Sequence, residues 1–158
     1  MSKCKKSTHF KLKYDNSISE ASVKSGVNKA MIQAILFREL TCVNTPDKMV
    51  DNYVMNYYYN KAKLEKFMKK DWKEQLKSIP LILRFPEKED SSTGLGQIFA
   101  KTGIKARNTF LSKGEKYYSY SNWKQRKKIW YKLKDNNAYN TTMVAKVLKM
   151  KAGWLFGG

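Results

Sequence analysis

The segment Lys29–Leu40 constrains the fold more than any other part of this sequence. It reads Lys-Ala-Met-Ile-Gln-Ala-Ile-Leu-Phe-Arg-Glu-Leu and is apolar on nearly every side of a helical wheel. Such a helix is typical of the centre of a packed domain, and Asn28 directly before it is a suitable N-cap. The sequence therefore predicts a buried central helix, and 42% apolar residues supply a core around it.

Helix signals continue on both sides of this segment. Ser17 and Glu20 have the spacing of a capping box, and Gly26 is suited to end the helix that they begin. A further helix starts at Thr45-Pro46-Asp47 and is expected to run to about residue 79. Three more helices are expected over about 95–111, 123–133 and 141–152.

The resulting fold class is mainly α with one small insertion. Residues 86–94 are polar and turn-rich, which favours a loop or a small β-hairpin in the middle of the chain. Residues 1–15 are basic and predict a loosely structured lead-in. We therefore expect an N-terminal lead-in over 1–15 and one domain over 16–158.

Composition excludes several kinds of chemistry. A single histidine, His9, excludes multi-histidine metal centres. Two cysteines, Cys4 and Cys42, cannot form a four-cysteine zinc site, although they suffice for one disulfide in an oxidising compartment. No phosphate-binding glycine motif occurs, and no apolar run approaches the roughly 18 residues of a membrane span. We expect no metal, no cofactor and no membrane span.

The charge balance predicts an anionic partner. Lys and Arg number 32 against 13 Asp and Glu, so the formal net charge is +19. Nucleic acid, an acidic membrane and a polyanionic cell wall all satisfy such a charge.

Glu39 is a carboxylate in an apolar sector of the predicted central helix. It follows Leu36 by three residues and Ile35 by four, which are the spacings of helical neighbours. Burial of a carboxylate is costly unless the group is paired, protonated or facing a cleft. Two interpretations follow: a general acid in a cleft, or a structural ion pair with Arg38 or a lysine.

A second feature is the stretch Asp90-Ser91-Ser92-Thr93-Gly94-Leu95-Gly96-Gln97-Ile98. Two glycines and several hydroxyls form a turn whose backbone can approach a ligand closely. The alternative is an ordinary junction between a loop and a helix.

Together the two features resemble the lysozyme-like superfamily, in particular lytic transglycosylases, goose-type lysozymes and the muramidase domains of bacterial toxins and phage lysins. The shared pattern is a buried helix that ends in Glu, an insertion, and Gly-Leu-x-Gln-Ile opening a helix. Here it is carried by Glu39 and Gly94–Ile98, and Ala138-Tyr139-Asn140 resembles a third motif of that family. The sequence departs from the pattern at Leu40, where Ser is usual, and at Gly96, where Met is usual.

The resemblance implies a lysozyme-like fold that cleaves the β-1,4 bond between N-acetylmuramic acid and N-acetylglucosamine. Glu39 is then the general acid and Asp90 the second carboxylate. Weaker candidates for the second carboxylate are Asp47, Asp51, Glu87 and Glu89. The residues expected to bind substrate are Thr93, Gly94, Gln97 and Tyr139. Hydrolysis is the first expectation, and the lytic transglycosylase reaction, which releases 1,6-anhydro-muropeptides, is the alternative.

The expected partner is peptidoglycan with its anionic polymers, together with an immunity protein if the chain is an antibacterial toxin. Since the chain carries no export signal, we expect a domain of a larger exported protein, or a phage lysin, that reaches the cell wall or periplasm. The competing class is a basic nucleic-acid-binding or nuclease domain. No recognisable nucleic-acid-binding motif is present, so nucleic acid is not the expected partner.

Overall fold

The computed structural model describes residues 3–42, 45–67 and 90–156, with side chains over 13–41, 50–62 and 90–153. Within these residues the protein is mainly helical with one small β-hairpin, as the sequence predicts. The elements are α1 (Lys3–Ser25), α2 (Lys29–Cys42), α3 (Thr45–Phe67), β1 (Ser92–Thr93), β2 (Ile98–Phe99), α4 (Ala100–Thr109), α5 (Trp123–Asp135) and α6 (Asn137–Phe156). The two strands pair antiparallel, with Ser92 opposite Phe99 and Thr93 opposite Ile98.

Helix α1 is longer than the sequence predicts. The expectation of a loosely structured lead-in over 1–15 is wrong for residues 3–15, which form one continuous helix with the residues that follow. Lysine is a good helix former, and α1 is held by packing against α2 and α6 with Ile18 and Ala21 buried. An ion pair of 2.8 Å between Asp15 and Lys29 also joins α1 to the start of α2.

The junction between α1 and α2 agrees with both sequence signals placed there. Gly26 has a φ of 73° and donates its N–H to the Ser22 carbonyl at 2.8 Å, which is the left-handed ending expected of a glycine after a helix. Asn28 caps α2, because its Oδ1 accepts the Ala30 N–H at 2.8 Å. These two predictions are confirmed.

The region after residue 90 differs from its prediction. A helix was expected from about residue 95, but residues 94–97 are the turn of the hairpin and α4 begins at Ala100. Gly94 has a φ of 72° and Gln97 a φ of 45°, which a right-handed helix excludes. The Gln97 N–H donates to the Gly94 carbonyl at 3.2 Å and closes the turn.

The described residues fall into two compact units, which lie within Met1–Val43 with Ser92–Gly158 and within Asn44–Ser91. In the first unit α6 packs against α1, α2, α4 and α5. The sequence prediction of α2 as the buried central helix is therefore wrong, because α2 buries Ile32 and Leu36 while Met31 is 55% exposed. Helix α6 takes the central place, since its buried side chains lie on more than one face. They are Asn140, Thr141, Met143, Val144, Ala145 and Met150.

The second unit contains α3 and the residues just before β1. Val54, Tyr57 and Tyr58 are its buried apolar side chains among those described, and the two tyrosine rings meet nearly edge-on at 5.5 Å. Ser91 donates its hydroxyl to the Asp51 carboxylate at 3.1 Å. In neither unit is any described helix both long enough and apolar enough to cross a membrane.

Candidate functional site

Glu39 lies on the same face of α2 as the two side chains that this helix buries. Ile32 and Leu36 are fully buried, and Glu39 follows them by seven and three residues, which keeps it on their face. Glu39 is half-buried, whereas the next residue, Leu40, is 40% exposed. Three ion pairs form among the described side chains, and none includes Glu39 or Arg38. The described structure therefore offers no ion pair that would explain this carboxylate.

The hairpin turn over residues 94–97 holds its shape through its own polar groups. The side-chain amide of Gln97 donates to the Gly94 carbonyl at 2.8 Å, and its oxygen accepts the Ser92 hydroxyl at 3.2 Å. Gln97 is a non-glycine residue with positive φ, a conformation that is uncommon and costs free energy unless such contacts support it. The Gln97 amide is thus engaged within the turn.

Asn140, which is fully buried in the first turns of α6, ties the hairpin to the helices. Its Oδ1 accepts the Gly96 N–H at 2.7 Å. Its Nδ2 donates to two carbonyls, that of Leu133 at 2.9 Å and that of Thr93 at 3.3 Å. One side chain therefore forms hydrogen bonds with backbone groups of β1, the turn and α5.

Gly96 brings the turn against α2. A Cβ placed on Gly96 would overlap Val144 Cγ2 and would lie 2.9 Å from Asn140 Oδ1 and 3.3 Å from Leu36 Cδ2. Only a glycine fits this approach. Glu39 follows Leu36 by three residues on the same face of α2, about 4.5 Å of helix rise beyond the side chain that the turn approaches.

The remaining residues predicted to bind substrate lie close to this turn but are largely occupied by packing. Thr93 is fully buried, and its Oγ1 has no hydrogen-bond partner among the described residues. Gly94 also has no room for a side chain, because a Cβ there would overlap the Leu133 carbonyl oxygen and Asn140 Nδ2. Contacts of Thr93, Gly94 and Gln97 with a sugar stay predictions.

Tyr139 is largely buried near the start of α6. Its backbone N–H donates to Asn136 Oδ1 at 2.8 Å, so Asn136 caps this helix. Lys132 Nζ lies 5.3 Å from the centre of the Tyr139 ring. Burial raises the pKa of the Tyr139 phenol to about 12. Its role in substrate binding also stays a prediction.

The structure describes only some of the candidates for the second carboxylate of the proposed reaction. Asp90 is half-buried and belongs to the second unit, as does Asp51, whose carboxylate accepts the Ser91 hydroxyl. Glu87 and Glu89 lie outside the described residues, and the side chain of Asp47 is not among those described. The assignment of Asp90 as second carboxylate stays a prediction. Among the described residues no three His, Cys, Asp or Glu side chains form a group that could hold a metal ion.

The helical spacing of the sequence indicates that Asn140 is a buried structural residue, which the Ala-Tyr-Asn motif by itself does not indicate. Asn140 precedes Met143 by three residues and Val144 by four, so it falls on an apolar stripe of α6. A polar side chain in such a stripe requires buried hydrogen-bond partners. Their identity is set by residues 44 and 47 positions away, which the sequence pattern does not reveal.

Comparisons with protein-family models, with curated proteins and with solved structures found no match to this chain.

Proposed function

We propose that this chain is a peptidoglycan muramidase with a lysozyme-like domain and with Glu39 as its general acid. The observation that carries the proposal is the close approach of Gly96 to Leu36, three residues before Glu39: a Cβ added to Gly96 would lie 3.3 Å from Leu36 Cδ2. It relates the two motifs of the resemblance, which are 55 residues or more apart in sequence, through one packed neighbourhood. The hydrogen bonds of Asn140 to Gly96 and Thr93 add the third motif to the same neighbourhood.

The position of Glu39, at the edge of the buried face of α2, suits a carboxyl group that contacts a bound substrate. Glu39 lies beside fully buried apolar side chains, is half-exposed, and has no ion-pair partner among the described residues. In the proposed reaction the Glu39 carboxyl donates its proton to the glycosidic oxygen. The bond from C1 of N-acetylmuramic acid to this oxygen breaks, and an oxocarbenium-like centre remains at C1.

The second step decides the product. In hydrolysis, water adds to C1, and its proton returns to the Glu39 carboxylate; Asp90 is the proposed carboxylate that supports this step. In the transglycosylase alternative, the 6-hydroxyl of the same sugar adds to C1 and gives a 1,6-anhydro product lighter by one water. Both reactions use Glu39 in the same way.

The test compares products from purified peptidoglycan for the native protein and for Glu39→Gln, using mass spectrometry. We expect muropeptides with ordinary reducing ends from the native protein and a rate lower by about a hundredfold or more for the variant, since general acid catalysis has that size. The matched control is Glu20→Gln, an equal charge change at an exposed residue of α1, which is expected to keep native activity.

The outcomes separate the alternatives. Anhydro-muropeptides that disappear in Glu39→Gln would favour the transglycosylase. Equal product from Glu39→Gln and the native protein would contradict the role of Glu39. No product from any variant on walls of several bacterial types would overturn the muramidase proposal and favour a basic nucleic-acid-binding domain.

A further inference from the structure

Helix α5 presents a strongly basic face whose lysines have no assigned role in the proposed reaction. This face forms a shallow depression of about 600 Å³. Its lining residues are Lys124, Lys127, Lys128, Tyr131, Lys132, Asp135 and Asn136. Four ammonium groups against one carboxylate make it a concentrated site for an anionic partner.

The lysines are ordered along the helix. Lys124, Lys128 and Lys132 follow each other at intervals of four residues, so they form a row with about 6 Å between neighbours along the axis. All three are exposed. The opposite face of α5 is buried through Ile129 and Leu133, so the row faces away from the core. Asp135 marks its C-terminal end.

Aromatic rings support these cations. Lys128 Nζ lies 6.0 Å from the centre of the Tyr118 ring, and Lys132 Nζ lies 5.3 Å from that of Tyr139. Such contacts favour particular positions of otherwise flexible ammonium groups.

The aromatic ring that lines the depression argues against a partner that carries bases. Of the described residues that line the depression, Tyr131 is the one aromatic side chain. It is half-buried, Lys127 Nζ lies 5.9 Å from its ring centre, and Trp130 packs nearly perpendicular to it at 5.4 Å. Single-stranded nucleic acid binds through rings on which bases stack, and this ring is already engaged.

We propose that the α5 lysine face, consisting of Lys124, Lys127, Lys128 and Lys132, binds a linear phosphodiester polymer without bases, of the kind attached to bacterial cell walls. A row of cations at regular spacing matches a chain of repeating phosphates. The choice of a cell-wall polymer rests on the proposed muramidase function, because that function places the protein at the wall. Binding to the isolated polymer is nevertheless measurable without any cleavage.

The experiment measures binding of fluorescently labelled poly(glycerol phosphate) to the full chain at several salt concentrations. The test variant is Lys124→Gln/Lys128→Gln/Lys132→Gln, in which glutamine preserves helix propensity. The matched control removes the same charge elsewhere, at exposed lysines of α1 and α6, as Lys13→Gln/Lys24→Gln/Lys151→Gln. Circular dichroism establishes that both variants keep the native helix content.

We expect the test variant to bind the polymer roughly a hundredfold more weakly at 0.1 M salt and to lose about 2 from the slope of log K against log salt, as three lost phosphate contacts require. The control is expected to stay within a few fold of the native protein. Equal losses in the two variants would overturn the proposal, because binding would then follow net charge alone.

A single-stranded oligonucleotide with the same number of phosphates is the second probe. If the α5 lysine face binds it as tightly as poly(glycerol phosphate), the choice of a polymer without bases is wrong. Product release from walls stripped of phosphodiester polymers tests the muramidase proposal separately. Polymer binding without cleavage would thus contradict the proposed function and leave this binding site standing.

Discussion

Asn140 Oδ1 accepts a hydrogen bond of 2.7 Å from the Gly96 N–H, and both groups are buried. The other side of the same amide donates to the carbonyls of Leu133 and Thr93. An asparagine suits this position because it presents an acceptor and two donor hydrogens on one short side chain. A single residue of α6 therefore bonds to the turn, to β1 and to α5.

Asn140→Asp tests this arrangement with almost no change in volume. The carboxylate keeps an acceptor for Gly96, but it places a second oxygen against the Leu133 and Thr93 carbonyls and buries a charge without a counterion. We expect the free energy of unfolding to fall by about 3 kcal/mol or more, measured by urea denaturation at neutral pH.

The same exchange at Asn16, an exposed position on α1, is its control. Asn16→Asp is expected to change stability by less than about 0.5 kcal/mol. If the two variants were equally stable, the amide hydrogens of Asn140 would contribute nothing to holding the turn.

Substitution by alanine is expected to lower the stability at Gly96 and to raise it at Gly153. A Cβ at Gly96 would overlap Val144, so Gly96→Ala should destabilise the protein by about 1–3 kcal/mol. Gly153 lies in α6 with no atom within 4 Å of an added Cβ, so Gly153→Ala should stabilise it by roughly 0.5–1 kcal/mol through better helix propensity. Thermal unfolding of the two variants checks both signs. A stable Gly96→Ala would mean that the turn does not approach Val144 and Leu36 this closely.

The parts of the fold that the sequence predicts correctly depend on neighbouring residues. The end of α1 at Gly26 and the start of α2 after Asn28 follow from local backbone and capping preferences. The prediction for residues 3–15 is wrong because their basic composition does not indicate the helix that they form with the residues that follow. The sequence also does not indicate the central position of α6, since this depends on which helices pack around it.

The candidate site also combines features that follow from local spacing with features that depend on distant contacts. The position of Glu39 beside Leu36 follows from helical spacing alone. The turn at Gly94 was expected, but its place in a hairpin rather than at a helix start depends on the left-handed conformation of Gln97 and on Asn140, 43 positions later. Contacts over such sequence separations are set by the packed fold, which a linear pattern does not contain.

Asn28→Ala tests the N-cap of the helix that carries Glu39. The Asn28 side chain satisfies the Ala30 N–H, one of the donors that have no partner within α2. Its loss should lower the free energy of unfolding by about 1 kcal/mol. Asn28→Ser preserves an acceptor at the cap and should recover most of this loss in the same denaturation experiment. Equal stability of the alanine and serine variants would contradict a capping role.

We expect the partly buried phenol of Tyr139 to lower the stability of the protein at alkaline pH. Burial raises the phenol pKa from its usual 10 to about 12, so between these values the unfolded chain releases a proton that the folded chain retains. The stabilising contribution is complete below pH 10 and decreases as the pH rises toward about 12. Tyr139→Phe removes it, so native stability should fall relative to this variant across that window. We expect a change on the order of 1–2 kcal/mol, smaller than the full pKa shift implies because the ring is partly exposed.

Tyr117→Phe, at a side chain 71% exposed, is the control and should follow the native profile in urea denaturation. Parallel profiles for the native protein and Tyr139→Phe would show that the phenol is not buried in the fold.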